Sequence, residues 1–318
     1  MENSVVILKT IVENVERVIV GKRKAIELAV ITLICNGHVL IEDVPGVGKT
    51  SLISSLAKSV SASFKRIQFT PDILPSDITG FSMYNQKTGE FEYRPGSVMS
   101  QLILADEINR TSPKTQASLL EVMEENQVTV DGITHKLPRP FMVLATQNPV
   151  EYLGTFPLPE AQLDRFFMKI SIGYPTQGEE SYILNRFQEK NPIDNLKSVA
   201  TSEDIIRIQE EIKSIYVDKT LNDYIVDIVS STRKNNDITL GSSPRGSIAL
   251  FRAAQAWAFY NSRNFVTPED IKCMVVPVLS HRIVLKQEAK LKRITSSDII
   301  ESIVEKIKVP VVDFDVKK

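Results

Sequence analysis

A short apolar run, a glycine-bearing loop and a helix-compatible stretch follow one another from residue 38. This succession constrains the fold more than any other feature of the chain. The loop reads Glu42-Asp43-Val44-Pro45-Gly46-Val47-Gly48-Lys49-Thr50-Ser51. A loop between a buried strand and a helix N-terminus aims successive backbone N–H groups at one point, where the helix dipole also favours negative charge. Gly46 and Gly48 let that backbone close on phosphates, Lys49 can neutralise β/γ oxygens, and the Thr50 hydroxyl can ligate Mg²⁺. The usual P-loop pattern places Gly five positions before the second glycine, and this chain has Asp43 there. The Gly-Lys-Thr core and its strand–loop–helix setting remain, so the expected ligand is a nucleoside triphosphate with Mg²⁺.

Five short runs, 38–42, 64–69, 101–105, 141–146 and 167–172, read as buried strands separated by helical or irregular segments. That spacing predicts an α/β fold with a five-stranded parallel sheet covered on both faces. Ahead of it, residues 4–35 read as two helices broken near Val20-Gly21-Lys22, with apolar residues at helical spacing (Val5, Leu8, Ile11, Val12, Val15; Ile26, Val30, Leu33). The cluster 173–178 is the expected boundary between a nucleotide-binding core, 1–175, and a smaller all-helical lid, 176–318. In the second part Thr201-Ser202-Glu203-Asp204 and Thr267-Pro268-Glu269-Asp270 carry helix-start signals: a hydroxyl cap and acidic residues in the first turn.

Composition narrows the function. A chain of 318 residues with 42% hydrophobic and 24% charged content is an ordinary globular protein with ample core material. Its net charge of −1 offers no electrostatic case for non-specific nucleic-acid or anionic-membrane binding. Cys35 and Cys273 lie far apart in apolar contexts and read as buried structural thiols, and His38, His135 and His281 lack ligand spacing. The start of the chain has no basic region ahead of an apolar one. The apolar stretch 29–41 is short and broken by Asn36-Gly37-His38, so the expectation is a cytoplasmic protein without membrane insertion.

Further candidates stand at strand ends. Asp106-Glu107 follows the 101–105 run: Asp106 is placed to hold Mg²⁺ through water, and Glu107 to polarise the attacking water. Asn148, in Gln147-Asn148-Pro149, is a polar amide placed to orient that water. Leu163-Asp164-Arg165-Phe166 offers a guanidinium suited to developing phosphoryl charge. Ser242-Ser243-Pro244-Arg245-Gly246 opens a helix and is expected to bring Arg245 near a nucleotide held between the two domains. A GTPase reading fails because no Asn/Thr-Lys-x-Asp motif occurs, although Asp77-Ile78-Thr79-Gly80 spells its Asp-x-x-Gly signature. A dinucleotide-binding dehydrogenase fails because Gly46-Val47-Gly48-Lys49-Thr50-Ser51 ends in Ser.

In this order the pieces resemble the AAA+ superfamily and, within it, the MoxR family of bacterial ATPases. The resemblance rests on long strings: 68–80 (QFTPDILPSDITG), 105–110 (ADEINR), 145–149 (ATQNP) and 158–166 (LPEAQLDRF), with Ser243-Pro244-Arg245 beyond them. It implies that Gly46 to Ser51, with Pro45 and Val47, is Walker A and that Asp106-Glu107 is Walker B. It also implies Asn148 as sensor 1, Arg165 as the arginine finger, Arg245 as sensor 2 and Val20-Gly21 as the adenine contact. Asp43 is at home in that family.

Two hairpins fit the same picture: 81–93, with Thr88-Gly89 at its turn, and 128–135 around Asp131-Gly132. They are expected to contact a partner. The resemblance implies ATP hydrolysis by a ring, a hexamer, that remodels or matures a protein client, often with a von Willebrand factor A-domain partner. The alternative is a nucleic-acid-dependent motor, which the near-neutral charge disfavours.

Overall fold

The computed structural model describes residues 1–148, 154–187 and 192–311. In chain order the first part runs α1 (Glu2–Glu16), α2 (Arg23–Ile34), β1 (Val39–Glu42), α3 (Lys49–Ser59), β2 (Phe64–Gln68), α4 (Pro75–Thr79), β3 (Gly80–Asn85), β4 (Glu90–Pro95) and β5 (Leu102–Asp106). It continues with α5 (Pro113–Glu125), β6 (Gln127–Val130), β7 (Ile133–Lys136), β8 (Met142–Gln147), α6 (Glu160–Leu163) and β9 (Met168–Ile170). The second part holds α7 (Gln177–Phe187), α8 (Ser202–Glu211), α9 (Lys219–Lys234), β10 (Ile238–Leu240), α10 (Pro244–Tyr260), α11 (Pro268–Leu279), β11 (Val284–Leu285), α12 (Gln287–Leu291) and α13 (Ser296–Lys306).

The five expected strands form one parallel sheet in the order β2-β5-β8-β1-β9. Strands β5 and β8 bury nearly every side chain, as a sheet covered on both faces demands. Strand β2, at one edge, exposes Lys65, Arg66 and Gln68, with Arg66 and Gln68 on one side, and buries Ile67. Because β1 lies between β8 and β9, the chain reverses direction across the sheet beside the P-loop strand, where α/β folds bind ligands.

Helices α1 and α2 meet at the predicted break, with Gly21 at φ 71°. The buried stripe of α1 is Val5, Leu8, Ile11, Val12 and Val15, and α2 is buried almost all round. It is buried because it sits between α1, the sheet and the second part: one apolar cluster runs from α1 and α2 through Val39 and Met168 to Leu250 and Met274. A second cluster packs α5 against the other sheet face through Leu119, Leu120 and Phe141.

Both hairpins form as separate antiparallel ribbons. In β3–β4, Asn85 pairs with Glu90 around Gly89, and in β6–β7, Val130 pairs with Ile133 around Asp131 (φ 49°) and Gly132 (φ 79°). Tyr93 of the first stacks on His135 of the second, with ring centroids 3.9 Å apart and 13° between planes. The second part is helical, with capping boxes at Thr201/Asp204, Thr267/Asp270 and Thr295/Asp298. It also contains one short antiparallel pair, β10 with β11, that periodicity did not announce. Cys35 is buried, but Cys273 is exposed, which corrects the reading of two buried thiols. The inward stripe of α11 is Ile271, Met274, Val275 and Val278, so helical geometry turns Cys273 out.

His38 enters β1 fully inside the core. Its Nδ1 accepts from the Val143 N–H at 3.0 Å, so Nε2, 2.9 Å from the Met123 carbonyl oxygen, carries the proton. Burial lowers its pKa to about 4, while the bond to Met123 works the other way. The unfolded chain therefore binds an extra proton between roughly pH 6.5 and that value, and stability falls as pH drops through this window. The loss from this one group is of the order of 3 kcal/mol. His281, buried against the Phe166 carbonyl, is shifted in the same direction. Thermal unfolding followed from pH 7 to pH 4 should show this acid loss. A His38→Gln variant, less stable at neutral pH, should lose less across the same range.

Candidate functional site

The carboxyl ends of β1, β2, β5 and β8 open into a cavity of about 430 Å³. It is lined by Pro45, Gly46, Gly48, Lys49, Thr50, Ser51, Arg66, Gln68, Asp106, Glu107 and Asn148. Gly46 and Gly48 take φ values of 85° and 90°, a left-handed backbone that a side chain would strain. Gly48 is the N-cap of α3, so the orphan amides of that helix face the cavity. Lys49 folds across the loop and donates to the Asp43 carbonyl at 2.7 Å. Burial lowers its pKa, opposed by the charges of Asp43, Asp106 and Glu107.

Asp43 explains the departure from the usual loop pattern. Its buried carboxylate accepts from the Ile172 amide, from Ser171 Oγ at 3.0 Å and from the Gly173 amide at 3.2 Å. A glycine here would leave the P-loop untied from the chain leaving β9.

The acidic pair is held from three sides. Thr146 Oγ donates to Asp106 Oδ1 at 2.7 Å and accepts from the Glu107 amide at 2.9 Å. Arg66 donates to Asp106 Oδ2 through Nη2 at 2.6 Å and Nε at 3.2 Å. Gln68 Nε2 donates to Glu107 Oε2 at 2.8 Å, and Arg110 pairs with the same carboxylate at 3.1 Å. Glu107 itself adopts φ 58°, a left-handed conformation that turns the chain sharply at the end of β5. Asn148 is buried and lines the cavity, while Pro149 lies outside the described residues. Val47 is half-buried, packed against the core. Val20 and Gly21 are not among the lining residues. Their neighbour Ile19 approaches Gly48, its Cδ1 3.6 Å from where a Cβ on that glycine would sit, and Glu179 packs over Gly21.

Arg165 and Arg245 meet elsewhere. Together with Glu124, Asp164, Arg252 and Arg282 they line a second cavity of about 290 Å³. Arg165 pairs with Glu124 at 3.2 Å and Arg245 binds the same carboxylate. The structure thus brings Arg165 and Arg245 together on Glu124, outside the P-loop cavity. Helix α10 starts against the Asp164–Phe167 segment, because its N-cap Ser243 donates to Asp164 Oδ2 at 2.7 Å. The other Asp164 oxygen accepts from Arg282 Nε at 2.9 Å. Arg282, 3% exposed, also donates to the carbonyls of Phe166 at 2.6 Å and Phe167 at 3.1 Å. Burial draws its pKa down to about 10, and Asp164 keeps it charged at neutral pH.

Residues 38–168 match the profile of the ATPase family associated with various cellular activities (AAA), and 230–303 match the AAA lid domain. Chaperone MoxR1 of Mycobacterium tuberculosis is 40% identical over 315 residues, covering 96% of this chain and 83% of its own. The chain belongs to the MoxR family of AAA+ ATPases. It is thus an ATP-hydrolysing enzyme. YeaC of Bacillus subtilis is 54% identical over 300 residues, 94% of each chain. A crystal structure of a protein assigned as an ATPase from Cytophaga hutchinsonii superposes with a TM-score of 0.90 at 41% identity, covering 97% of this chain and 96% of that one.

In this MoxR-family ATPase several site residues escaped sequence reasoning. Arg66 and Gln68 had a signal: two polar side chains at i and i+2 on a strand that otherwise leads into the cavity. Thr146 and Glu124 had none, since each acts through partners distant in sequence. Arg282 was hidden because a buried arginine has no periodic signature; only its carboxylate and carbonyl partners make it tolerable. Replacing Arg282 by Leu would strand the Asp164 charge at the joint. Urea unfolding should show a loss of about 3–5 kcal/mol, far more than for an exposed ion pair.

Proposed function

We propose that this ATPase works as a ring in which each nucleotide site is completed by the next copy, and that it uses hydrolysis to remodel a protein client. The observation that carries the ring is the separation of the parts: P-loop, Asp106, Glu107 and Asn148 line one cavity, Arg165 and Arg245 another. One chain therefore holds two complementary halves, which a head-to-tail, closed arrangement of identical copies would join. A hexamer is the proposed size. The remodelling role draws on the M. tuberculosis relative being a chaperone by name, and a von Willebrand factor A-domain protein is the proposed partner by family resemblance. Near-neutral net charge weighs against a nucleic-acid motor.

The cavity's donors fit MgATP. Left-handed glycines and the start of α3 suit phosphate oxygens, and a threonine hydroxyl with a carboxylate suits a hard divalent cation. Gly46 to Ser51 would hold the phosphates, with Thr50 and Asp106 on magnesium and Val20-Gly21 against the base. Bound magnesium would supply charge neutralisation at the β/γ oxygens. Lys49 adds positive charge there, Glu107 takes up proton density from the attacking water, and Asn148 orients that water. Arg165 and Arg245 of the neighbouring copy, freed from Glu124, would meet the charge that develops on the transferred phosphoryl group.

Glu107→Gln should bind ATP normally and hydrolyse it at least about a hundredfold more slowly, read by steady-state phosphate release. Lys49→Ala should lose binding itself, and Arg165→Ala should bind ATP yet scarcely turn it over, since a finger in trans is worth about 10³–10⁵ in rate. Mixing Lys49→Ala with Arg165→Ala should restore part of the activity, because some interfaces then join an intact loop to an intact finger. A fully active monomer would sink the ring reading.

A further inference from the structure

We propose that Arg66 is a ligand of the terminal phosphate in its own chain. In this reading it is held on Asp106 until magnesium takes that carboxylate, and then released to the nucleotide. The inference deepens the proposed function and rests on MgATP occupying the P-loop cavity.

Three observations lead to it. Arg66 lines the same cavity as Lys49, Thr50 and Glu107, so its guanidinium and a bound triphosphate would share one space. Its two hydrogen bonds to Asp106, through Nη2 and Nε, fall on the single oxygen Oδ2. The other oxygen, Oδ1, already accepts the Thr146 hydroxyl, so Oδ2 is the oxygen for which Arg66 and a hydrated cation would compete. A guanidinium and a divalent cation on one carboxylate oxygen repel each other, and the doubly charged ion wins that competition.

Arg66 can move. Its side chain is 49% exposed, against 16% for Asp106, and it stands on the edge strand β2 rather than in the core. Once displaced, Arg66 would find in the terminal phosphate of a bound triphosphate a compensating anion in the same cavity. A planar guanidinium can meet two phosphate oxygens at once, which an ammonium cannot. ADP lacks that group, so Arg66 should favour ATP over ADP. It should also make nucleotide binding demand more magnesium, because the cation must first evict it.

The test measures binding rather than turnover, by calorimetry with ADP and with a non-hydrolysable ATP analogue, over a magnesium series. Arg66→Ala should lower the preference for the ATP analogue over ADP by about tenfold, the worth of one charged hydrogen bond. The magnesium concentration giving half-maximal ADP binding should fall severalfold in the same variant. Arg66→Lys should keep an intermediate preference, having charge without the planar fork. Arg66→Gln, which preserves polarity on the edge strand, serves if the alanine variant does not fold. A merely structural role would weaken both nucleotides alike and leave the magnesium requirement unchanged or raise it. An unchanged preference, or a magnesium requirement that does not fall, overturns the proposal. Nucleotide binding that survives Lys49→Ala would instead overturn the placement of ATP on which it rests, so the two failures are told apart.

Discussion

Parallel pairing is the constraint from which the rest of the molecule follows. Strands that run the same way must all end on the same edge, and β1, β5 and β8 are neighbours or next neighbours in the order β2-β5-β8-β1-β9. Their bodies are buried on both faces, so only their ends can present polar groups without a desolvation cost. Glu42, Asp106 and Gln147, far apart in the chain, thus arrive at one rim. Gln147 Nε2 there donates to Glu42 Oε1 at 2.6 Å, and Lys169 of β9 closes on the other Glu42 oxygen at 2.8 Å. The P-loop is the turn that β1 makes as it leaves this rim, and Asp43 ties that turn to the strand on its far side.

Much of this was legible in the sequence because it is written locally. Buried strands announce themselves as short apolar runs, glycines mark the loop that must be left-handed, and threonine followed three residues later by aspartate marks a helix start. The hairpin around Asp131-Gly132 was legible for the same reason: its two turn residues need positive φ, and they are the types that tolerate it. The candidate residues on strand ends, Asp106, Glu107 and Asn148, inherited their positions from the strands and gather in one cavity.

What stayed hidden depends on contacts between distant residues. Nothing near Arg245 says that it will share Glu124 with Arg165, since that meeting depends on how α10 docks against the segment after α6. The same docking sets Arg245 beside Arg165 and outside the P-loop cavity. Cys273 sits in an apolar string yet faces outward, because α11 is covered on one side only, and an apolar neighbourhood in sequence does not say which side. The short β10–β11 pair joins segments more than forty residues apart, and periodicity over two or three residues cannot signal it.

The joint at Asp164 has a mechanical consequence. A carboxylate bound by Ser243 and Arg282, with the guanidinium also gripping two carbonyls, resists being pulled open, since opening exposes a charge with no replacement partner. That tie would make the lid and the Arg165 segment one stiff body. A stiff body transmits displacement instead of absorbing it. In the proposed ring the compliance would reside at the seams between copies, and strain produced at one nucleotide pocket would be delivered next door with little lost to bending.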